Sequence, residues 1–451
     1  CVARLPATER RMRRPYRGTA GGASGVTHRQ RRRADGGDRT TMKANPRIDA
    51  EWLHERLAEL ARVGTTAGGG VTRLALSDED RAGRELLRVW MEEAGLAVRV
   101  DDLGNMTGRR EGRERIAPVL LGSHIDSVRR GGRFDGPLGV LGALAAVRAL
   151  DAAGIETRHP IEVVNWTNEE GVRFEPAMLA SGVVGGRFDR AYAYDRTDRD
   201  GVRFEDELRR IGYLGREEDR PEPAAAYLEL HVEQGPVLED AGVPVGVVEG
   251  IVGITWLNVT VDGQADHAGP SPMRLRRDAL VAASRLVSMV DRLARETDEI
   301  AVGTVGRLVP EPNVINTVPG RVVMSADFRH PDPATLDGLV DRFRAQAEQL
   351  SAETGVTVTL DRFWTSEATP FDAGVVGEIA AACEGLGLPQ HRLWSGAGHD
   401  AKYVADRGPA GMIFVRSRGG LSHCEEEFSE PADIEAGANV LLLAALRLAD
   451  G

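Results

Sequence analysis

Residues 122–136 read GSHIDSVRRGGRFDG. His124 and Asp126 are two apart, so in extended backbone both side chains leave the same face. Asp135 sits in a glycine-flanked turn, where a carboxylate can approach a second segment of chain. Residues 165–174 read NWTNEEGVRF, with Glu169 and Glu170 adjacent after an apolar run. Two buried, unpaired carboxylates are costly. A metal ion removes that cost, and the pair can divide its labour between ligand and general base. His231 in LHVEQG and His423 in FVRSRGGLSHCEEE each follow a strand-like run. Alone, each of these residues reads as an ordinary loop or core side chain. Together His124, Asp135, Glu170, His231 and His423 supply three imidazoles and two carboxylates, a set suited to Zn, Mn, Co or Ni. Two such ions about 3.5–4 Å apart, sharing one carboxylate, form a hydrolytic unit. Cys424 has no cysteine partner at ligand spacing and reads as a non-ligand.

These residues must be carried by elements that bring four separated segments together. Apolar runs at Pro118–Ser123, Ile161–Thr167 and Tyr227–His231 read as buried strands, each ending at candidate site residues. In open α/β sheets, ligands collect at the carboxyl ends of the strands. Ile48–Val63 and Asp80–Glu93 read as helices, and Leu138–Leu150 as a Gly/Ala-rich helix able to pack closely. From about Val248 the pattern changes. Ile254–Val261, Ile300–Leu308, Arg321–Phe328 and Val356–Leu360 read as strands, with helices at Asp278–Arg295 and Ala334–Leu350. That order, β-α-β-β-α-β, is a split βαβ unit. After about Phe363 the α/β pattern resumes, with a helix at Val375–Leu386, a strand at Gly411–Val415 and a helix at Asp433–Leu448. The chain therefore divides into a first catalytic part at 44–250, an inserted α+β unit at 251–362 and a second catalytic part at 363–451. Residues 1–43 read as an Arg-rich extension, disordered or non-native, ahead of the amphipathic pattern that follows Met42.

The 451 residues are 42% apolar and 28% charged, as in a globular protein. Eleven arginines against Glu9, Asp35 and Asp38 give residues 1–41 a charge of +8, within a total of −12. The acidic body argues against nucleic acid as the main partner. An anionic substrate would need a local cation, and with only Lys43 and Lys402 present that cation is an arginine. Three scattered cysteines make no disulfide framework, which suits a cytoplasmic setting. No run has the length and apolarity of a membrane span.

The motifs GSHIDSVRRGGRFDG, NEEGVRF, LHVEQG, GQADHAGP, NVINTVPG, SGAGHDA and GGLSH occur in this order. In them the chain resembles the M20 metallopeptidase-type family over about residues 48–450, in the branch of N-carbamoyl-L-amino acid hydrolases, β-ureidopropionases and allantoate amidohydrolases. The resemblance implies a phosphorylase/hydrolase-like α/β catalytic domain with an inserted ferredoxin-like domain, which acts as a lid and mediates a homodimer. It implies two divalent ions per subunit, Zn or Mn, Co or Ni. His124 and His231 would each bind a different one of the two ions, with Asp135 bridging and Glu170 and His423 completing the set. Glu169 would be the general base, Asp126 the acid that orients His124, and His399 and Asp400 supporting residues near the metals. His267 would stabilise the oxyanion. Asn316, Arg329 and Gly420 would bind substrate, with Arg329 on its carboxylate. Gln234 can donate to and accept from a ureido group. The implied reaction is hydrolysis of the carbamoyl C–N bond of a small anionic ureido acid. An allantoate or ureidoglycine-type activity and, more remotely, a peptidase are the competing readings. The chain departs from its relatives in HCEEE after His423, where they carry a proline-containing turn.

Overall fold

The protein is described here from a computed structural model covering residues 46–451. The expectation for residues 1–43 lies outside the described residues.

The larger sheet has nine strands. Ile161–Trp166, Val119–His124, Ala226–Val232 and Ala410–Val415 lie side by side and parallel at its centre. Each is buried along its whole length, as expected of parallel strands covered on both faces. Ala97–Val100 and Met106–Arg110 extend the sheet on one side. Val245–Ile251, Thr369–Pro370 and Gln390–Ser395 extend it on the other, giving a mixed sheet. None of these five was anticipated. They are short, or rich in charge and glycine, so their sequences carry little strand signal.

Helices Pro137–Ala152, Pro431–Asp450 and Ala373–Leu386 lie beside one another on this sheet. The first starts with Pro137 directly after Gly136, whose φ of +82° a side chain would strain. Its small residues serve close packing, as expected. A Cβ on Gly139 would stand 2.4 Å from the Leu230 carbonyl oxygen and 2.6 Å from Ser123 Cβ. The helix thus presses on the two strands that carry His124 and His231.

The smaller sheet has five antiparallel strands. Leu308–Glu311, Arg321–His330, Gly253–Asp262 and Thr357–Ser366 neighbour one another in that order, and Val302–Thr304 also pairs with Arg321–His330. Helices Ala279–Arg295 and Pro333–Thr354 pack against it. Burial alternates strictly along Arg321–His330. Leu257, Val259, Val261, Phe328 and Phe343 belong to an apolar cluster separate from that of the larger sheet. The single strand anticipated at Ile300–Leu308 is two strands. Arg307 breaks the run, because its backbone N–H donates to the Ser325 side chain rather than into the ladder. Asp266–His267 and Thr317–Val318 form a separate two-stranded pair. Among the described residues no helix is long and apolar enough to cross a membrane.

Candidate active site

The carboxyl ends of the four central strands meet at one cluster. His124 is the last residue of its strand, and its Nδ1 lies 2.9 Å from the Asp126 main-chain carbonyl. His231 is held likewise, with Nδ1 2.8 Å from the Val232 carbonyl. Both rings are about 1% exposed and both turn Nε2 inward, where neither makes a hydrogen bond. Asp135 Oδ1 stands 3.2 Å from His231 Nε2 and 3.8 Å from His124 Nε2. The other oxygen of Asp135 is 3.5 Å from His423 Nε2, which is itself 3.5 Å from Glu170 Oε2. Two donor groups result, His124–Asp135–His231 and Asp135–Glu170–His423, and Asp135 belongs to both. His124 and His231, expected at different ions, thus fall in one group, because both Nε2 atoms face the same oxygen of Asp135. Orphaned, buried imidazole nitrogens converging on a carboxylate are costly unless something fills the gap. Nitrogen and oxygen donors of this kind fit divalent cations. Cys424 is in neither group.

The electrostatics ask for positive charge. Burial, then the neighbouring Asp400 and Glu170, push the Glu169 carboxyl well above the usual range. Burial, then Asp135 and Asp126, do the same to Glu170. Burial lowers His124 to about 4, so its imidazole is neutral and able to ligate. Against the effect of burial, Asp135 and Glu229 raise His231 to about 9, and His231 with His124 and His423 holds Asp135 below its ordinary range.

Asp126 meets the His124 ring with two groups. Its carbonyl oxygen takes the hydrogen-bonding position at Nδ1, and its carboxylate Oδ1 stands farther off, 3.7 Å from the same nitrogen. The carboxylate accepts from the backbone N–H groups of Glu169 at 3.2 Å and Glu170 at 3.3 Å, fixing the turn that carries both acids. Glu169 Oε2 then lies 3.7 Å from His124 Nε2, beside the first donor group. His399 is buried edge-on to His231, with ring centroids 4.4 Å apart, and Asp400 is fully buried next to it. Gln234 points its amide inward, donating to Asp135 Oδ2 at 2.7 Å. Gly420, at φ +65°, lets its turn press against Gly235 and Pro236, where a Cβ would come within 2.6 Å of Pro236 N.

His267 and Asn316 are brought together on the small two-stranded pair, where Thr317 is the register partner of His267 and the Ala268 N–H donates to the Asn316 carbonyl at 2.9 Å. Both are exposed, and among the described residues no hydrogen bond ties them to the imidazole cluster. Arg329 is paired with Asp327 and reaches the Gly396 carbonyl at 2.6 Å.

Three supporting residues escaped the sequence reading. Glu229 accepts from Ser123 Oγ at 2.7 Å and from the Ala401 N–H at 2.8 Å, tying three of the converging segments. A glutamate inside the apolar run LELHV was the signal for it. Ser422 and Glu427 also reach Asp135, across nearly 300 residues of sequence, and left no such signal.

Residues 120–447 match the peptidase family M20/M25/M40. An N-carbamoyl-L-amino-acid amidohydrolase of Rhizobium meliloti is 44% identical over 407 residues, covering 90% of this chain and 98% of the relative. An allantoate deiminase of Glycine max is 33% identical, over 87% of this chain and 88% of that protein. The crystal structure of a hydantoinase/carbamoylase family amidase from Burkholderia multivorans superposes with a TM-score of 0.89 at 46% identity, covering 90% of this chain and all of that one. With the family match spanning most of its length and its donor groups at the strand ends, the chain belongs to the peptidase family M20/M25/M40.

Proposed function

We propose that the protein is a binuclear-metal amidohydrolase that cleaves the carbamoyl C–N bond of N-carbamoyl-L-amino acids or β-ureido acids, giving amino acid, CO2 and ammonia. One observation carries the reading: Asp135 is shared between two donor groups, one with His124 and His231 and the other with Glu170 and His423, and Glu169 stands beside the first. Zn, or Mn, Co or Ni, bound there would acidify water and polarise a carbonyl.

The chain's own residues do the rest. Glu169, whose affinity for a proton is raised by burial and by neighbouring carboxylates, takes the proton from the attacking water. It returns that proton to the departing ammonia. His267 is the donor to the oxygen on which negative charge develops. Arg329 binds the substrate carboxylate, with Asn316, Gln234 and Gly420 completing the contacts. His399 and Asp400 back the cluster from behind.

His267, Asn316 and Arg329 all lie in 251–362, which we read as an inserted ferredoxin-like domain between catalytic parts 44–250 and 363–451. It serves as lid and as the contact surface of a homodimer. The separate apolar cluster of the smaller sheet supports that division. So does its strand order, which is that of a split βαβ unit. An allantoate-type activity is the second reading, supported by the 33% identical relative and outweighed by the 44% identical one.

Ammonia release from N-carbamoyl-L-amino acids, β-ureidopropionate, allantoate and a dipeptide, each with added divalent metal, tests the assignment. Turnover of the ureido acids is expected. Turnover of allantoate or dipeptide alone would refute it.

A further inference from the structure

Glu427 is the third acid of HCEEE, and it is about 4% exposed. Its Oε1 accepts from two consecutive backbone N–H groups, Phe134 at 3.1 Å and Asp135 at 3.2 Å. Its Oε2 lies 2.9 Å from Ser422 Oγ, which is also 2.9 Å from Asp135 Oδ2. One carboxylate therefore joins the loop that carries Asp135 to the loop that carries His423, through the backbone on one side and a hydroxyl on the other. Gly132 makes the approach possible, since a Cβ there would fall 2.0 Å from the Glu427 carboxyl carbon.

The two donor groups depend on this link unequally. His124 and His231 sit on buried strands, and each ring is fixed through Nδ1 by a neighbouring carbonyl. Neither needs Glu427. His423 sits on a loop at φ +55°, with 53% of its side chain exposed. Among the described residues its Nε2 faces Asp135, Glu170 and Gln234. Ser422, its chain neighbour, contacts Oδ2 of Asp135, the oxygen on the His423 side.

We infer that Glu427 is a positioning residue that holds the Asp135 and His423 loops in register and thereby sets the affinity of the ion bound by Asp135, Glu170 and His423, more than that of the ion bound by His124, Asp135 and His231. The inference rests on the two-ion reading above.

Calorimetric titration of the metal-free protein with Zn or Co tests it, together with the visible spectrum of the Co form and the thermal midpoint of the metal-free form. The unsubstituted protein should take up two equivalents. Glu427→Ala should weaken one of them about 10–100-fold, the range for residues that orient metal ligands. The other equivalent should weaken much less, and the metal-free thermal midpoint should stay close to its original value. Glu427→Gln should restore most of the loss, because an amide oxygen still accepts from both backbone N–H groups. Glu427→Asp, one methylene shorter, should not. Equal weakening of both ions, or of neither, overturns the inference. So do Gln and Asp variants that behave alike, a comparison that stands even if the Ala variant does not fold. Uptake of fewer than two equivalents by the unsubstituted protein overturns the two-ion reading, and the inference with it. Two equivalents bound alike with and without Glu427 overturn the inference alone.

Discussion

Arg329 and Asp327, two apart on the Arg321–His330 strand, form a side-on pair: Arg329 Nε is 3.1 Å from both carboxylate oxygens and Nη2 is 2.6 Å from Oδ2. Nη1 donates to Gly396, at the start of the segment that leads to His399 and Asp400. One N–H on each terminal nitrogen is left over. The arginine is thus held in place by its own strand and keeps two N–H donors.

Arg329→Ala should therefore raise KM for a carboxylate substrate. Loss of a charge-assisted contact costs about 1.5–3 kcal/mol, which is at least about tenfold in binding. The matching amide should be affected far less, and Arg329→Lys should rescue poorly, because an ammonium cannot reproduce the planar fork. Steady-state kinetics on the acid and its amide check this. Equal losses on both would make the residue structural.

Glu169→Gln should keep fold and metal content while turnover falls by about 10²–10⁴, the usual cost of removing a general base. Metal analysis alongside kcat is the check. Loss of metal instead would mean that Glu169 is a ligand and that the two adjacent acids have exchanged roles.

Gly139→Ala sets two effects against each other. Alanine in a helix interior is worth about 1 kcal/mol over glycine. Here its Cβ would meet the Leu230 carbonyl at 2.4 Å, and overpacking of a tight contact costs about 1–3 kcal/mol. The clash is with backbone next to His231, which has no room to turn aside, so a lower thermal midpoint is expected. A raised midpoint would show that the helix can slide.

Lys402 is buried, with Nζ donating to the Glu367 carbonyl at 2.6 Å. Burial, then Arg187, lowers its pKa to about 8 from 10.5. Between those values the unfolded chain holds the extra proton and the folded one does not, so this group makes stability rise with pH across the window. Lys402→Met removes the cost of burying the charge. Its stability relative to the parent protein should decline from pH 8 to pH 10.5, read by denaturant unfolding at each pH. A constant difference would show that Lys402 titrates normally.

The donor residues were legible because most stand where an apolar run stops beside glycine. A buried parallel strand needs a continuous apolar sequence, and a charged residue just past it is conspicuous. His124, Glu170 and His231 have that signature, His423 follows a glycine-rich turn eight positions beyond its strand, and the structure gathers all four around Asp135. Contacts that depend on the backbone were not legible. The Asp126 carboxylate also holds the N–H groups of Glu169 and Glu170. The hold of Glu427 on Asp135 spans 292 positions. The pairing of Asp327 with Arg329 was hidden for a different reason: alternation puts both on one face of a strand, but only the fold shows that the guanidinium turns to Asp327 and to the Gly396 carbonyl. The edge strands Ala97–Val100 and Gln390–Ser395 were missed because half-exposed strands need few apolar residues.

The most direct measurement of the central claim is ammonia release from an N-carbamoyl-L-amino acid as Zn or Mn is returned in known equivalents to chelated, metal-free protein. Activity should be absent at zero equivalents and should rise until two are bound per chain. Full activity in verified metal-free protein, or a plateau at a single bound equivalent, would contradict the account of a two-ion site bridged by Asp135.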